Sequence, residues 1–196
     1  MITVRLRYFL LWLLLLTSWH SFGQDFQTCV TENGRVSFVS EAPLEVIKAA
    51  SVSLKGAIDI KQQTFLFVLE NATFKGFNSP LQQEHFHENY METKRYPQTT
   101  FKGKIIETLE WKNGQTQTVR AKGILDLHGI KQERIIQATL VYEADRCRLT
   151  AGFNVLLDDH AIRIPKVVSK KIAQEIRIEV DAVMLPHQKS LEKAGR

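Results

Sequence analysis

The chain has 196 residues, 44% of them hydrophobic and 24% charged, a composition of single globular domains that excludes the disordered and fibrous classes. Its 26 basic and 21 acidic residues give a net charge of +5. The two signs are mixed along the chain, without the basic stripe that a nucleic-acid surface needs.

Arg5 and Arg7 precede an apolar run over residues 8–16, followed by a polar stretch to Gly23. This is the build of a secretory signal peptide, residues 1–23, with small residues at Ser21 and Gly23 that fit cleavage after Gly23. The run is shorter than the roughly 20 apolar residues needed to cross a bilayer. No Cys follows the cleavage site to carry a lipid anchor, and no later segment resembles a membrane span. Without the leader, 24 basic residues stand against 21 acidic ones, a net charge of +3. The expected product is an exported protein, periplasmic or extracellular.

Export gives meaning to the two cysteines, Cys29 and Cys147, which are 118 residues apart. In an oxidising compartment they are a candidate disulfide, one that would add about 4 kcal/mol through the length of the loop it closes. Two unpaired buried thiols are the alternative. No local feature marks either as an activated thiolate.

From Gln24 onward the sequence alternates apolar and polar residues, as strands with one buried face do. A short strand is expected at 26–31 and another at 36–39, with Asn33-Gly34 before it as a hairpin turn. Residues 43–50 read as a loop or single helical turn. In 51–60 the inward set is Val52, Leu54, Gly56, Ile58 and Ile60. Strands follow at 65–69 and 101–109, and between them residues 79–92 break the pattern. There Ser79 is a candidate N-cap, Pro80 stands at the first helical position, and Leu81, His85 and Glu88 or Asn89 recur at helical spacing, so a helix or cap is expected. After the turn at Asn113-Gly114, the segment 119–127 points Val119, Ala121, Gly123, Leu125 and Leu127 one way. Strands at 136–142 and 149–157 precede the strictest alternation, Ile176, Ile178, Val180, Ala182 and Met184 against Glu175, Arg177, Glu179 and Asp181. Residues 24–186 thus form one domain, and 187–196 a polar tail.

Eight main strands joined mostly by short links pair antiparallel, and closure removes exposed edges. An all-β, eight-stranded barrel with a helix or cap near its opening is expected. The inward faces hold seven small residues, Gly56, Gly103, Ala121, Gly123, Ala138, Ala151 and Ala182. Either these leave an apolar cavity wide enough for one ligand, or they relieve crowding opposite aromatic rings.

Four segments in order carry a resemblance. They are the run 38–51 (Phe-Val-Ser-Glu-Ala-Pro-Leu-Glu-Val-Ile-Lys-Ala-Ala-Ser); His85-Phe86, Glu88 and Tyr90-Met91-Glu92, leading to Lys94-Arg95-Tyr96-Pro97 and Phe101-Lys102-Gly103; Gly123-Ile124-Leu125-Asp126-Leu127-His128-Gly129; and Phe153-Asn154-Val155, leading to Ile162-Arg163-Ile164-Pro165. Across about residues 30–185 the chain resembles the polyisoprenoid-binding YceI-like family. The resemblance implies an extended lipocalin-like barrel with a helix at its opening, an isoprenoid or other long-chain amphiphile as ligand, and, for some members, a homodimer.

By alternation the wall candidates are Phe38, Leu54, Phe65, Phe67, Phe101, Ile105, Leu125, Tyr142, Phe153 and Val155. Phe86, Tyr90 and Met91 are candidates for the opening, where an aromatic body with a polar tip suits a headgroup boundary. Among His85, His87, His128, His160 and His187 no metal-ligand spacing occurs, and no Gly-x-Ser-x-Gly elbow or phosphate loop is present. No metal or cofactor is expected, and His128-Gly129 reads as a turn. The principal expectation is a non-catalytic lipid-binding protein. Two others stand beside it: a barrel enzyme acting on a lipid or quinone-like molecule with His85 and Glu88 as acid and base, and an interaction domain whose barrel is filled.

Overall fold

The alternating segments close on themselves. In the computed structural model, which describes residues 28–187, eight strands form one closed antiparallel barrel in sequence order: β1 (Thr28–Ala42), β2 (Glu45–Asp59), β3 (Thr64–Glu70), β4 (Gln98–Ile105), β5 (Thr116–Leu127), β6 (Ile130–Glu143), β7 (Arg146–Leu156) and β8 (Glu175–His187). β8 pairs with β1 to complete the ring, so neither strand is left with an open edge. The leader expected at 1–23 and the expected tail beyond His187 lie outside the described residues. Among the described residues no helix is long and apolar enough to cross a membrane.

Three local expectations change. Asn33-Gly34 does not turn the chain; β1 runs through it, absorbing the short strand expected at 26–31, and the pairing with β2 shifts register on either side of Gly34. A side chain there would meet the Ala182 Cβ at 2.9 Å, so glycine lets two strands approach at this point. Residues 43–50 hold only a two-residue turn, Pro43-Leu44, after which β2 begins. Val52 faces solvent, 63% exposed, while Ser51 is buried. Here β2 carries one extra residue between Ser51 and Leu54, so its inward set is Ile47, Ala49 and Ser51 before the irregularity and Leu54 and Ile58 after it. The Ser51 and Ser53 hydroxyls and the Thr73 hydroxyl bond one another at 2.7 to 2.9 Å, which satisfies the polar groups exposed by the break.

Among the described residues His128-Gly129 is one of three two-residue hairpins, beside Pro43-Leu44 and Ala144-Asp145, with Leu127 opposite Ile130 and positive φ at both turn residues (53° and 75°), as the tight primed turn requires. Asn113-Gly114 belongs instead to the longer connection 106–115, whose Gly114 N–H donates to the Tyr142 carbonyl at 2.8 Å.

That connection closes one end of the barrel. Leu109 and Trp111 pack there against a filled core of Cys29, Ile58, Ile105, Val119, Leu140, Tyr142, Cys147 and Met184, with the Trp111 ring 4.8 Å from Tyr142. Each large side chain buried this completely contributes about 1.5–3 kcal/mol. The two cysteines are free thiols in this plug. β8 runs between their strands, Cys29 pairing with Pro186 and Cys147 with Met184, so the bond weighed from the sequence is not formed. Burial, with the neighbouring Cys147, pushes the Cys29 thiol up to about 12, and burial does the same to Cys147.

A thiol reagent at neutral pH should therefore find neither cysteine in the folded protein and both after unfolding without reductant; a count of zero after unfolding would show a disulfide instead. The same burial has a pH signature. The unfolded thiols ionise from about 9.0 while the folded ones hold their protons to about 12. Stability should be unaffected by these groups below pH 9 and fall as pH rises through that window.

Candidate functional site

The other end of the barrel is hollow. Between β3 and β4 the chain leaves the barrel at Asn71 and crosses its opening. Ser79 caps α1 (Pro80–His85), its Oγ accepting the Gln82 N–H at 3.2 Å, with Pro80 at the first helical position. The helix continues as a wider π turn over Phe86–Tyr90, closed by the Met91 N–H on the Phe86 carbonyl at 2.8 Å. This turn drives Phe86 into an aromatic cluster: Phe86 lies 5.5 Å from Phe38 on β1, nearly parallel to it, 5.5 Å from Phe74 and 5.0 Å from Phe77. The cap is thus held by ring contacts, each worth about 0.5–1.5 kcal/mol beyond its buried area.

Polar contacts fix the cap's far end. The Glu92 carboxylate accepts from His128 Nε2 at 2.9 Å, and His128 Nδ1 donates to the His160 carbonyl at 3.0 Å. The two contacts hold the imidazole ring in one orientation between the cap and the residues that follow β7. The Tyr96 ring packs 4.4 Å from it. His160 is completely buried, its Nδ1 donating to the Leu127 carbonyl at 3.2 Å; burial lowers its pKa and keeps it neutral. Asn71, also fully buried, donates to the Tyr96 carbonyl and accepts from the Thr99 hydroxyl, both at 2.8 Å. These histidines and this amide are structural pins. Among the described residues no group of three or more His, Cys, Asp or Glu converges as metal ligands would.

Beneath the cap lies a cavity of about 460 Å³, a size at which sites enclose small ligands. Eleven of the thirteen residues expected at the wall or opening line it: Phe38, Leu54, Phe65, Phe67, Phe101, Leu125, Phe153 and Val155 from the strands, and Phe86, Tyr90 and Met91 from the cap. Ile105 and Tyr142 do not. Both point inward as alternation requires, but they sit in the filled plug below the cavity.

The seven small residues divide. Ala121, Ala138 and Ala151 face the hollow. Gly56 lies beneath the Phe67 ring, where a Cβ would come within 2.1 Å of it, and Gly103 and Gly123 mark a close backbone approach of β4 and β5. Ala182 is buried against Gly34. Both explanations offered by the sequence therefore operate, at different positions.

Several wall residues were invisible to alternation. Phe74 and Phe77 lie in the irregular crossing, and Ile162, Ile164, Val168 and Ile172 in the connection from β7 to β8. The only available signal was a Phe pair three residues apart and the Ile162-Arg163-Ile164 alternation. Polar groups gather at the opening, where Ser79, Gln82, His85 and Lys171 border the cavity. The Gln82 amide donates to the Glu45 carboxylate. His85 is exposed, and Glu88 turns away to Lys94 at 3.9 Å. Among the described residues no hydrogen bond or ion pair joins His85 to Glu88.

A model of the YceI-like domain matches residues 27–184, almost the entire described range. The barrel is similar to a solved polyisoprenoid binding domain from Saccharophagus degradans, with 12% identity and a TM-score of 0.69 over 83% of this chain and 100% of that one. It is also similar to BcnA from Burkholderia cenocepacia, with 16% identity and a TM-score of 0.64 over 76% and 95%. Among curated proteins none matches the chain. At such identities the likeness is one of fold.

Proposed function

The chain belongs to the YceI-like family, and from that premise we propose that it is an exported, non-catalytic protein that holds an isoprenoid or another long-chain amphiphile inside its barrel. The observation that carries this role is the shape of the interior: a cavity walled by aliphatic and aromatic side chains, closed below by a packed plug, with polar groups only at its opening. Such a site binds by length. Each methylene moved from water into it contributes roughly 0.8 kcal/mol, so affinity grows with chain length and discrimination among apolar tails is loose. The polar end of the ligand would stay with Ser79, Gln82, His85 and Lys171, where a headgroup remains hydrated. Phe38, Leu54, Phe65, Phe67, Phe101, Leu125, Phe153 and Val155 would contact the tail and Phe86, Tyr90 and Met91 its upper part. Export is supported by the leader at 1–23.

Native mass spectrometry of the protein purified from its own host tests this directly. A stoichiometric adduct, identified after denaturation as a polyprenyl or other long-chain lipid, is the expected result. A protein that is empty and also fails to take up a fluorescent polyprenyl probe would remove the lipid-binding role.

A further inference from the structure

The rim of the cavity presents a second surface. Residues 162–172 run along the opening with Ile162, Ile164, Val168 and Ile172 on the cavity wall, whereas Arg163, Lys166, Val167 and Lys170 are exposed. Val167 is 89% exposed. No acidic residue occurs between Asp159 and Glu175, and among the described residues Arg163, Lys166 and Lys170 make no ion pair. Two neighbouring elements add protruding apolar side chains. Leu44, at the tip of the β1–β2 turn, is 67% exposed, and Leu81, on α1, is 58% exposed while also bordering the cavity. On that side the Glu45 carboxylate is engaged by Gln82 and Glu88 faces Lys94, while Glu84 is exposed.

Single exposed leucines or valines need no explanation. Three of them on three different elements around one apolar opening, interleaved with cations, are a different matter. The frame that holds them is firm. The Leu44 N–H donates to the Lys170 carbonyl at 2.9 Å, and the Ala173 N–H donates to the buried Ser40 hydroxyl at 2.9 Å. The rim sets protruding aliphatic side chains among cations that make no ion pair among the described residues, a surface complementary in charge to an anionic one. Its apolar tips are short and its cations flexible, the combination that settles into a headgroup layer.

We propose that this rim is a docking face for an anionic bilayer surface. Leu44, Leu81 and Val167 enter the headgroup layer, Arg163, Lys166 and Lys170 lie against lipid phosphates, and the opening is placed on the membrane. The consequence for loading rests on the lipid-binding role proposed above: an apolar chain passes between bilayer and barrel without crossing water.

The test is sedimentation of the protein, purified from its own host, with vesicles of phosphatidylcholine mixed with phosphatidylglycerol and of phosphatidylcholine alone. Wild type should bind the mixed vesicles more tightly than the neutral ones and be released by added salt. The triple variant Arg163→Gln, Lys166→Gln, Lys170→Gln should bind the mixed vesicles about 100-fold more weakly, since each cation near an anionic surface contributes about fivefold. Val167→Asp alone should weaken binding about tenfold. None of these four side chains lies on the cavity wall, so uptake of polyprenol delivered from detergent should be unchanged, which also shows that the variants fold.

Variants that bind vesicles as tightly as wild type would overturn the docking face. So would a wild type that ignores mixed vesicles but takes up polyprenol from detergent, an outcome that leaves the lipid-binding role standing and points to an acidic protein partner. A protein that binds mixed vesicles in the expected order yet takes up no polyprenol from detergent upholds the docking face and removes the lipid-binding role alone.

Discussion

Ala138→Trp should abolish uptake of a long isoprenoid while leaving the barrel folded. Ala138 faces the hollow between Ile136 and Leu149, and Ala121 on the adjacent strand faces the same space. An indole placed there occupies the path of the tail. If it excludes about four methylenes the loss is about 3 kcal/mol, roughly 100-fold in affinity, and a chain that must pass the obstruction loses more. Thermal unfolding separates this from damage. Overpacking a filled core costs about 1–3 kcal/mol, whereas filling a true void leaves stability unchanged or raised. Titration with a fluorescent polyprenyl probe beside a melting curve reads both. A variant with lowered Tm and unchanged probe affinity would mean that the interior at Ala138 is packed and that the ligand lies elsewhere.

The other large effect concerns folding. Gly103 and Gly123 face each other across β4 and β5, and a Cβ on Gly103 would stand 2.1 Å from the Lys122 carbonyl oxygen and 2.5 Å from the Gly123 Cα. A Cβ on Gly123 would stand 2.4 Å from the Lys102 carbonyl oxygen. These are backbone atoms, and they can move only if the two strands part. Gly103→Ala should therefore cost about 4 kcal/mol or more, a large share of the 5–15 kcal/mol that holds an ordinary domain together, and lower Tm by about 10 °C. Gly152→Ala is the matched control. It also lies in a strand, but its nearest neighbour would be the Ile178 carbonyl oxygen at 3.9 Å, so its Tm should stay within a few degrees of wild type. Equal melting of the two variants would remove the close approach of β4 and β5 as the reason for glycine.

These two expectations separate what the small inward residues do. From the sequence, Gly103, Gly123, Ala121 and Ala138 form one class: small, and facing inward by parity. The barrel sorts them by what stands opposite, which is backbone for the glycines and open space for the alanines. The cap is a similar case. Ser79-Pro80 announces a helix start through local chemistry, and the helix begins there. Phe74 and Phe77 carry no period that would place them over the opening, and only their packing on Phe38 and Phe86 shows their role.

What the sequence by itself determined is the set of strands and, for most of them, which face turns inward, because side chains alternate with a period of two wherever one face is buried and the other wet. That period holds through β5 and β8 and fails at Val52, where an extra residue in β2 exchanges the two faces. Parity has no information on depth along the barrel axis. Ile105 and Leu125 are equally apolar and equally inward, yet Leu125 lines the cavity and Ile105 belongs to the plug. Only the tertiary structure decided that difference. Whether an inward side chain meets a ligand or another side chain depends on how strands far apart in sequence are staggered around the ring, and on which end the connection carrying Trp111 closes.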